Sequence, residues 1–80
     1  MQGNVRVDYS RKFLKQLARL PRRIVELAQE KETIFRTNPF DPRLDTHKLH
    51  GKEEDVWSFS VTHRYRIRFL FLPGGGILFL

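Results

Sequence analysis

Between Trp57 and Phe71 the chain alternates apolar and polar residues. Trp57, Phe59 and Val61 fall on one parity, with Ser58 and Ser60 on the other. Further on, Tyr65, Ile67, Phe69 and Phe71 are opposed to Arg66 and Arg68. Successive side chains of a strand point to opposite faces, so the pattern predicts two strands joined by a tight Thr62-His63-Arg64 link. One face of such a sheet is a hydrophobic wall and the other carries two closely spaced guanidinium groups. The second strand runs from Tyr65 to Leu72, Pro73-Gly74-Gly75-Gly76 is a turn, and Ile77 to Leu80 begin another strand.

Upstream the period lengthens. Val5 to Tyr9 alternate as a short strand, and Ser10 is placed to cap the helix that follows. Phe13, Leu14, Leu17, Ala18 and Leu20 recur at helical spacing, with Arg11, Lys12, Lys15 and Arg19 between them. Pro21 breaks that helix and suits the start of a second, whose apolar stripe is Ile24, Leu27, Ala28, Ile34 and Phe35. Asn38-Pro39 ends it, because the residue before a proline disfavours the α region. Pro39 to Lys48 reads as an irregular connection and residues 52–55 as a polar turn. The resulting order is β-α-α-β-β-β: an α+β domain spanning residues 1–80, with a helical hairpin packed on one face of a small antiparallel sheet.

Eighty residues allow one domain, and the seven Phe, one Trp and two Tyr give its small core a large apolar area per residue. Cysteine is absent, which excludes disulfides and thiolate metal sites. With only His47 and His50 close together, a zinc site is not expected, and no cofactor is called for. No apolar run approaches the roughly 20 residues of a membrane helix, and the expectation is a soluble, cytoplasmic protein without a signal peptide. The chain carries a net charge of +6, unevenly distributed. Residues 1–23 hold seven basic groups and one acidic, residues 24–57 are net acidic, and residues 58–80 add three arginines. A field of that kind attracts polyanions or an acidic protein partner. The chain closes on Ile-Leu-Phe-Leu, as if in mid-strand. The expectation is therefore that further residues belong beyond Leu80, and that the last strand exposes an edge able to pair with another chain.

Taken together, Phe13 to Leu20 with Pro21, Asn38-Pro39 with Pro42, Leu44 followed by His47-Lys48-Leu49-His50-Gly51, Trp57-Ser58-Phe59 and Tyr65-Arg66-Ile67-Arg68-Phe69 resemble the RelE/ParE toxin superfamily, the RelE/YoeB/YafQ-like toxins of type II toxin–antitoxin modules. The resemblance covers nearly the whole chain and rests on the order and spacing of the motifs. It implies a small sheet with two packed helices and an acidic, partly disordered antitoxin as partner. It also implies one of two activities: ribosome-dependent cleavage of messenger RNA without a metal, or, as in the ParE branch, inhibition of DNA gyrase. An inert module that only binds antitoxin is a third possibility.

For the nuclease, the resemblance assigns Arg66 to the scissile phosphate and His47 to the general base. A planar guanidinium suits phosphate oxygens, and an ordinary imidazole titrates near ~6.5. Arg68, Lys48, His50, Ser58 and Ser60 are the candidate RNA- and phosphate-binding residues. Two departures stand out. Ser58 and Ser60 replace the cations that some relatives present on that strand, and the family's C-terminal His or Tyr would fall after Leu80, which would leave the chain inactive as it stands. Trp57 is expected to pack in the core.

Overall fold

Ser10 is the hinge between the first strand and the first helix: its Oγ accepts from the Phe13 amide at 2.9 Å, as an N-cap should. The computed structural model describes residues 4–51 and 55–80. In order, these are β1 (Val7–Tyr9), α1 (Arg11–Leu17), α2 (Arg22–Thr37), a 3-10 turn (Pro42–Leu44), β2 (His47–Lys48), β3 (Trp57–Ser60), β4 (Arg66–Phe71) and β5 (Ile77–Phe79). Pro21 occupies the N-cap of α2, and Asn38, in extended conformation before Pro39, ends it. Of the predicted polar turn at 52–55, residues 52–54 lie outside the described residues. No helix among the described residues is long and apolar enough to cross a membrane.

The α+β architecture expected from the pattern is present. The strands form one sheet of order β1-β5-β4-β3-β2. From β2 to β5 neighbours are antiparallel, whereas β1 runs parallel to β5, with Val7 opposite Ile77 and Tyr9 opposite Phe79. The sheet is therefore mixed, where the sequence led us to expect an antiparallel one. Parallel neighbours need a long crossover, which the helices and the intervening strands provide. A second difference follows from the same pairing. β5 is flanked on both sides, by β1 and β4, so the expected free edge along the last strand does not exist. The edges of the sheet are the short strands β1 and β2.

The core is aromatic. Phe35 of α2 is fully buried, with its ring 4.7 Å from Phe59, 4.9 Å from Phe69 and 5.5 Å from Phe79, centre to centre. Phe13 brings α1 onto Phe79 at 5.4 Å. Trp57 is half-buried between Phe40 and Phe71 at one end of this layer, so it packs, as expected. At the start of the sheet, Tyr9 donates its hydroxyl hydrogen to the Glu32 carboxylate. Arg36 holds the same carboxylate at 3.0 Å, which ties β1 to α2. Burial, reinforced by Glu32, raises the Tyr9 hydroxyl above its ordinary pKa. The β4–β5 turn runs through Gly74 and Gly75 at φ of 90° and 99°, where a side chain would be strained.

Candidate functional site

The face of the sheet opposite the helices is built from the alternate residues of β3 and β4. Directly opposed residues on paired strands point to the same side. His47 faces Ser58, and Ser58 faces Arg68, which makes one row across three strands. Ser60 faces Arg66 in the next row. The expectation that Arg66 projects from the side away from the helical layer holds. It does not, however, reach freely into solvent.

Instead, Arg66 is folded back along the sheet and held by five groups. Its Nε donates to Ser58 Oγ at 2.9 Å. Nη2 donates to the Asp45 carbonyl at 2.7 Å and to the Ser58 carbonyl at 3.3 Å. Nη2 also lies 3.2 Å from His47 Nδ1. Nη1 meets the Asp45 carboxylate at 3.4 Å, with the two side chains 30% and 75% exposed. The guanidinium is thus fixed on one flank and loosely paired on the other.

The loop before β2 sets this geometry. Asp41 caps the 3-10 turn through Arg43 N at 2.9 Å and also pairs with the Arg43 guanidinium at 2.9 Å. The Arg43 hydrogen bonds hold the Asp41 carboxyl at about 2, well below the usual carboxylate range. Leu44 is fully buried and anchors the turn in the core. Asp45 then adopts a left-handed conformation with φ 50°, which short polar side chains tolerate better than most. Thr46 donates to the Pro39 carbonyl at 2.6 Å. That sequence of constraints turns the Asp45 carbonyl and the His47 ring toward Arg66.

The predicted residues divide accordingly. Arg66, His47 and Ser58 are brought together. Ser58 is only 2% exposed, so it orients Arg66 and does not face a ligand itself. Ser60 donates to the Thr62 carbonyl at 3.0 Å and is tied into the turn after β3. Arg68 shares the face, and both arginines line a groove of about 580 Å³ that residues of α1 and α2 also border. Lys12 and Arg19 add further charge to that groove, and Leu17, Ile24 and Ile67 give it an apolar lining. Lys48 falls opposite Trp57, in the row belonging to the other face. It is therefore separated from Arg66 by the period of two that governs any strand. His50 is exposed beyond the end of β2. Asp45 is the residue missed from the sequence. Its only signal is an aspartate just after a proline-initiated turn, which is an ordinary turn residue.

No protein-family model matches the chain, and no curated protein matches its sequence. Solved structures do resemble it. A YoeB/ParE toxin from Agrobacterium tumefaciens superposes with a TM-score of 0.77 at 16% identity, over 95% of this chain and 93% of that one. An archaeal RelE–RelB complex from Pyrococcus horikoshii gives 0.76 at 22% identity, over 96% and 90%. A YoeB dimer from Staphylococcus aureus gives 0.70 at 14% identity, over 95% and 91%. With two helices laid on a five-stranded mixed sheet and this coverage on both sides, the chain has the fold of the RelE/ParE/YoeB toxin superfamily.

Proposed function

We propose that this protein is the toxin of a type II toxin–antitoxin module, and that it cuts messenger RNA on the ribosome, in the cytoplasm, without a metal. The observation that carries the reading is the Arg66–His47 pair, 3.2 Å apart on the sheet face opposite the helices, within a RelE-like fold. In the proposed reaction the ribose 2′-oxygen attacks the adjacent phosphorus, forming the O2′–P bond as the P–O5′ bond breaks. The 2′-hydroxyl proton passes to a base and the departing 5′-oxygen takes one from an acid. Arg66 offsets the charge that builds on the phosphoryl oxygens. His47 is the base, and Arg68 steers a neighbouring phosphate.

The proposed partner is an acidic antitoxin segment. The groove beside Arg66 and Arg68, apolar within and lined by Lys12 and Arg19, fits an amphipathic acidic chain that becomes ordered on binding. The RelE–RelB complex among the similar structures supports a partner of that kind.

A gyrase-directed toxin is the second reading. In its favour, Nε and Nη2 of Arg66 are already engaged by the protein. Induced expression followed by sequencing of RNA 5′ ends separates the two. The nuclease gives new cleavage sites, reduced about a hundredfold or more by Arg66→Ala. A DNA-damage response with unaltered messenger RNA would replace the nuclease reading by the gyrase one.

A further inference from the structure

We propose that the Asp45 carboxylate is a built-in substitute for phosphate: it occupies the approach to Arg66 Nη1 that an RNA phosphodiester takes, and RNA binding displaces it. The inference rests on the reading of Arg66 as a phosphate ligand and goes beyond it, because Asp45 belongs to no motif that led to that reading.

The geometry separates two kinds of contact around one guanidinium. Nε and Nη2 point into the sheet and the loop, toward Ser58 Oγ at 2.9 Å and the Asp45 carbonyl at 2.7 Å. These acceptors are a buried hydroxyl and a backbone oxygen, and neither can leave without distorting β3 or the turn before β2. Nη1 meets Asp45 Oδ2 at 3.4 Å, the longest contact of the set, and that carboxylate is 75% exposed. An exposed ion pair at such a distance is weak and exchanges readily with solvent anions. An arginine has five N–H donors and no acceptor, so a phosphate oxygen that approaches Nη1 from the side of Asp45 competes with its carboxylate.

The same residue contributes twice, with opposite effects. Its carbonyl positions the guanidinium, and its carboxylate screens the guanidinium charge. Displacement by phosphate removes a neighbouring negative charge from Nη1, while Nε and Nη2 keep their hydrogen bonds to Ser58 Oγ and the Asp45 carbonyl. Asp45 thereby sets how strongly the empty site attracts polyanions. The left-handed backbone at Asp45 restricts the residue types that serve here; Asn and Gly also tolerate it, so both substitutions keep the carbonyl in place while deleting the charge.

The test is binding of a fluorescein-labelled single-stranded RNA, 2′-O-methylated to prevent cleavage, measured by anisotropy at fixed salt. Asp45→Asn and Asp45→Gly are expected to bind about fivefold more tightly than the unaltered protein. Glu26→Gln, the same change in net charge at an exposed position on α2, is expected to shift affinity less than about twofold. Arg66→Met is expected to weaken binding, and adding Asp45→Asn to it to restore nothing. If both Asp45 variants bind no better than Glu26→Gln while Arg66→Met still weakens binding, the substitute-anion proposal is wrong and the phosphate role of Arg66 survives. If the gain at Asp45 persists in the Arg66→Met background, the effect is one of general charge and the proposal also fails. If Arg66→Met binds RNA as tightly as the unaltered protein, the phosphate reading itself is lost.

Discussion

Arg66 Nη2 approaches His47 Nδ1 to 3.2 Å, and this contact bears on which imidazole nitrogen carries the proton. Guanidinium offers only donors, so this contact favours a lone pair on Nδ1 and a hydrogen on Nε2. A proton on Nδ1 would aim at the Asp45 carbonyl, 3.1 Å away, but it would set two donors against each other. The expected outcome in the free protein is an Nε2–H tautomer, read from the ring ¹⁵N shifts. In Arg66→Met the Nδ1–H form should gain population, since the Asp45 carbonyl is then its natural acceptor. Unchanged ¹⁵N shifts in that variant would mean that Arg66 does not control the ring.

Ser58→Ala removes the acceptor for Arg66 Nε. Hydrogen bonds to charged groups are worth about 1.5–3 kcal/mol when fully buried. Arg66 is only partly covered, so water recovers some of this and the expected loss of stability is about 1 kcal/mol. RNA binding should fall by a larger factor than this modest loss of stability would suggest, because the guanidinium loses its fixed flank. Urea unfolding and anisotropy measured on one preparation check both parts.

Phe35→Ala deletes the ring on which Phe59, Phe69 and Phe79 converge. Truncating a buried Phe costs about 3–5 kcal/mol. A domain of this size has a total stability of about 5–10 kcal/mol, so the variant should unfold at markedly lower urea concentration or be largely unfolded at 37 °C. Phe40→Ala removes a ring that is 53% exposed, and is expected to cost much less. Circular dichroism melts of the two variants give the comparison.

Acid should loosen the loop that carries Asp45 and His47. The Asp41 carboxyl is held at about 2 in the folded protein, chiefly by its Arg43 hydrogen bonds, against an ordinary value of 3.8. A lowered carboxylate pKa stabilises the fold above the unfolded value, and that contribution fades as pH falls through the folded one. The stability difference between the unaltered protein and Asp41→Asn is therefore expected to be full above pH ~4 and to shrink toward pH ~2. A difference that stays constant across that window would contradict the assignment of the Asp41–Arg43 pair.

Much of this molecule could be read from the chain because its local signals agree. Ser10 caps α1, Pro21 precedes α2 and Pro39 follows it, each through steric or hydrogen-bonding rules that act within a few residues. The parity of Ile67 and Phe69 against Arg66 and Arg68 fixed the two faces of β4, because the period of a strand leaves no other arrangement. Placing Arg66 and His47 in one site came from the resemblance to the toxins, and the fold brings them within contact. The irregular stretch after Pro39 gave less away. Its buried Leu44, the left-handed Asp45 and the two-residue β2 carry no periodicity, and each is settled by contacts with distant segments.

The amino-acid order alone determined the two helices and four of the strands, which side of each is apolar, and that two arginines share a face, since these follow from interactions between near neighbours. Only the folded chain decided that β1 lies parallel beside β5, that Lys48 falls on the far side of the sheet from Arg66, and that a carboxylate twenty-one residues away sits against the Arg66 guanidinium. Those are meetings between distant segments. Their outcome depends on how the layers close over a shared core, and no local pattern encodes it.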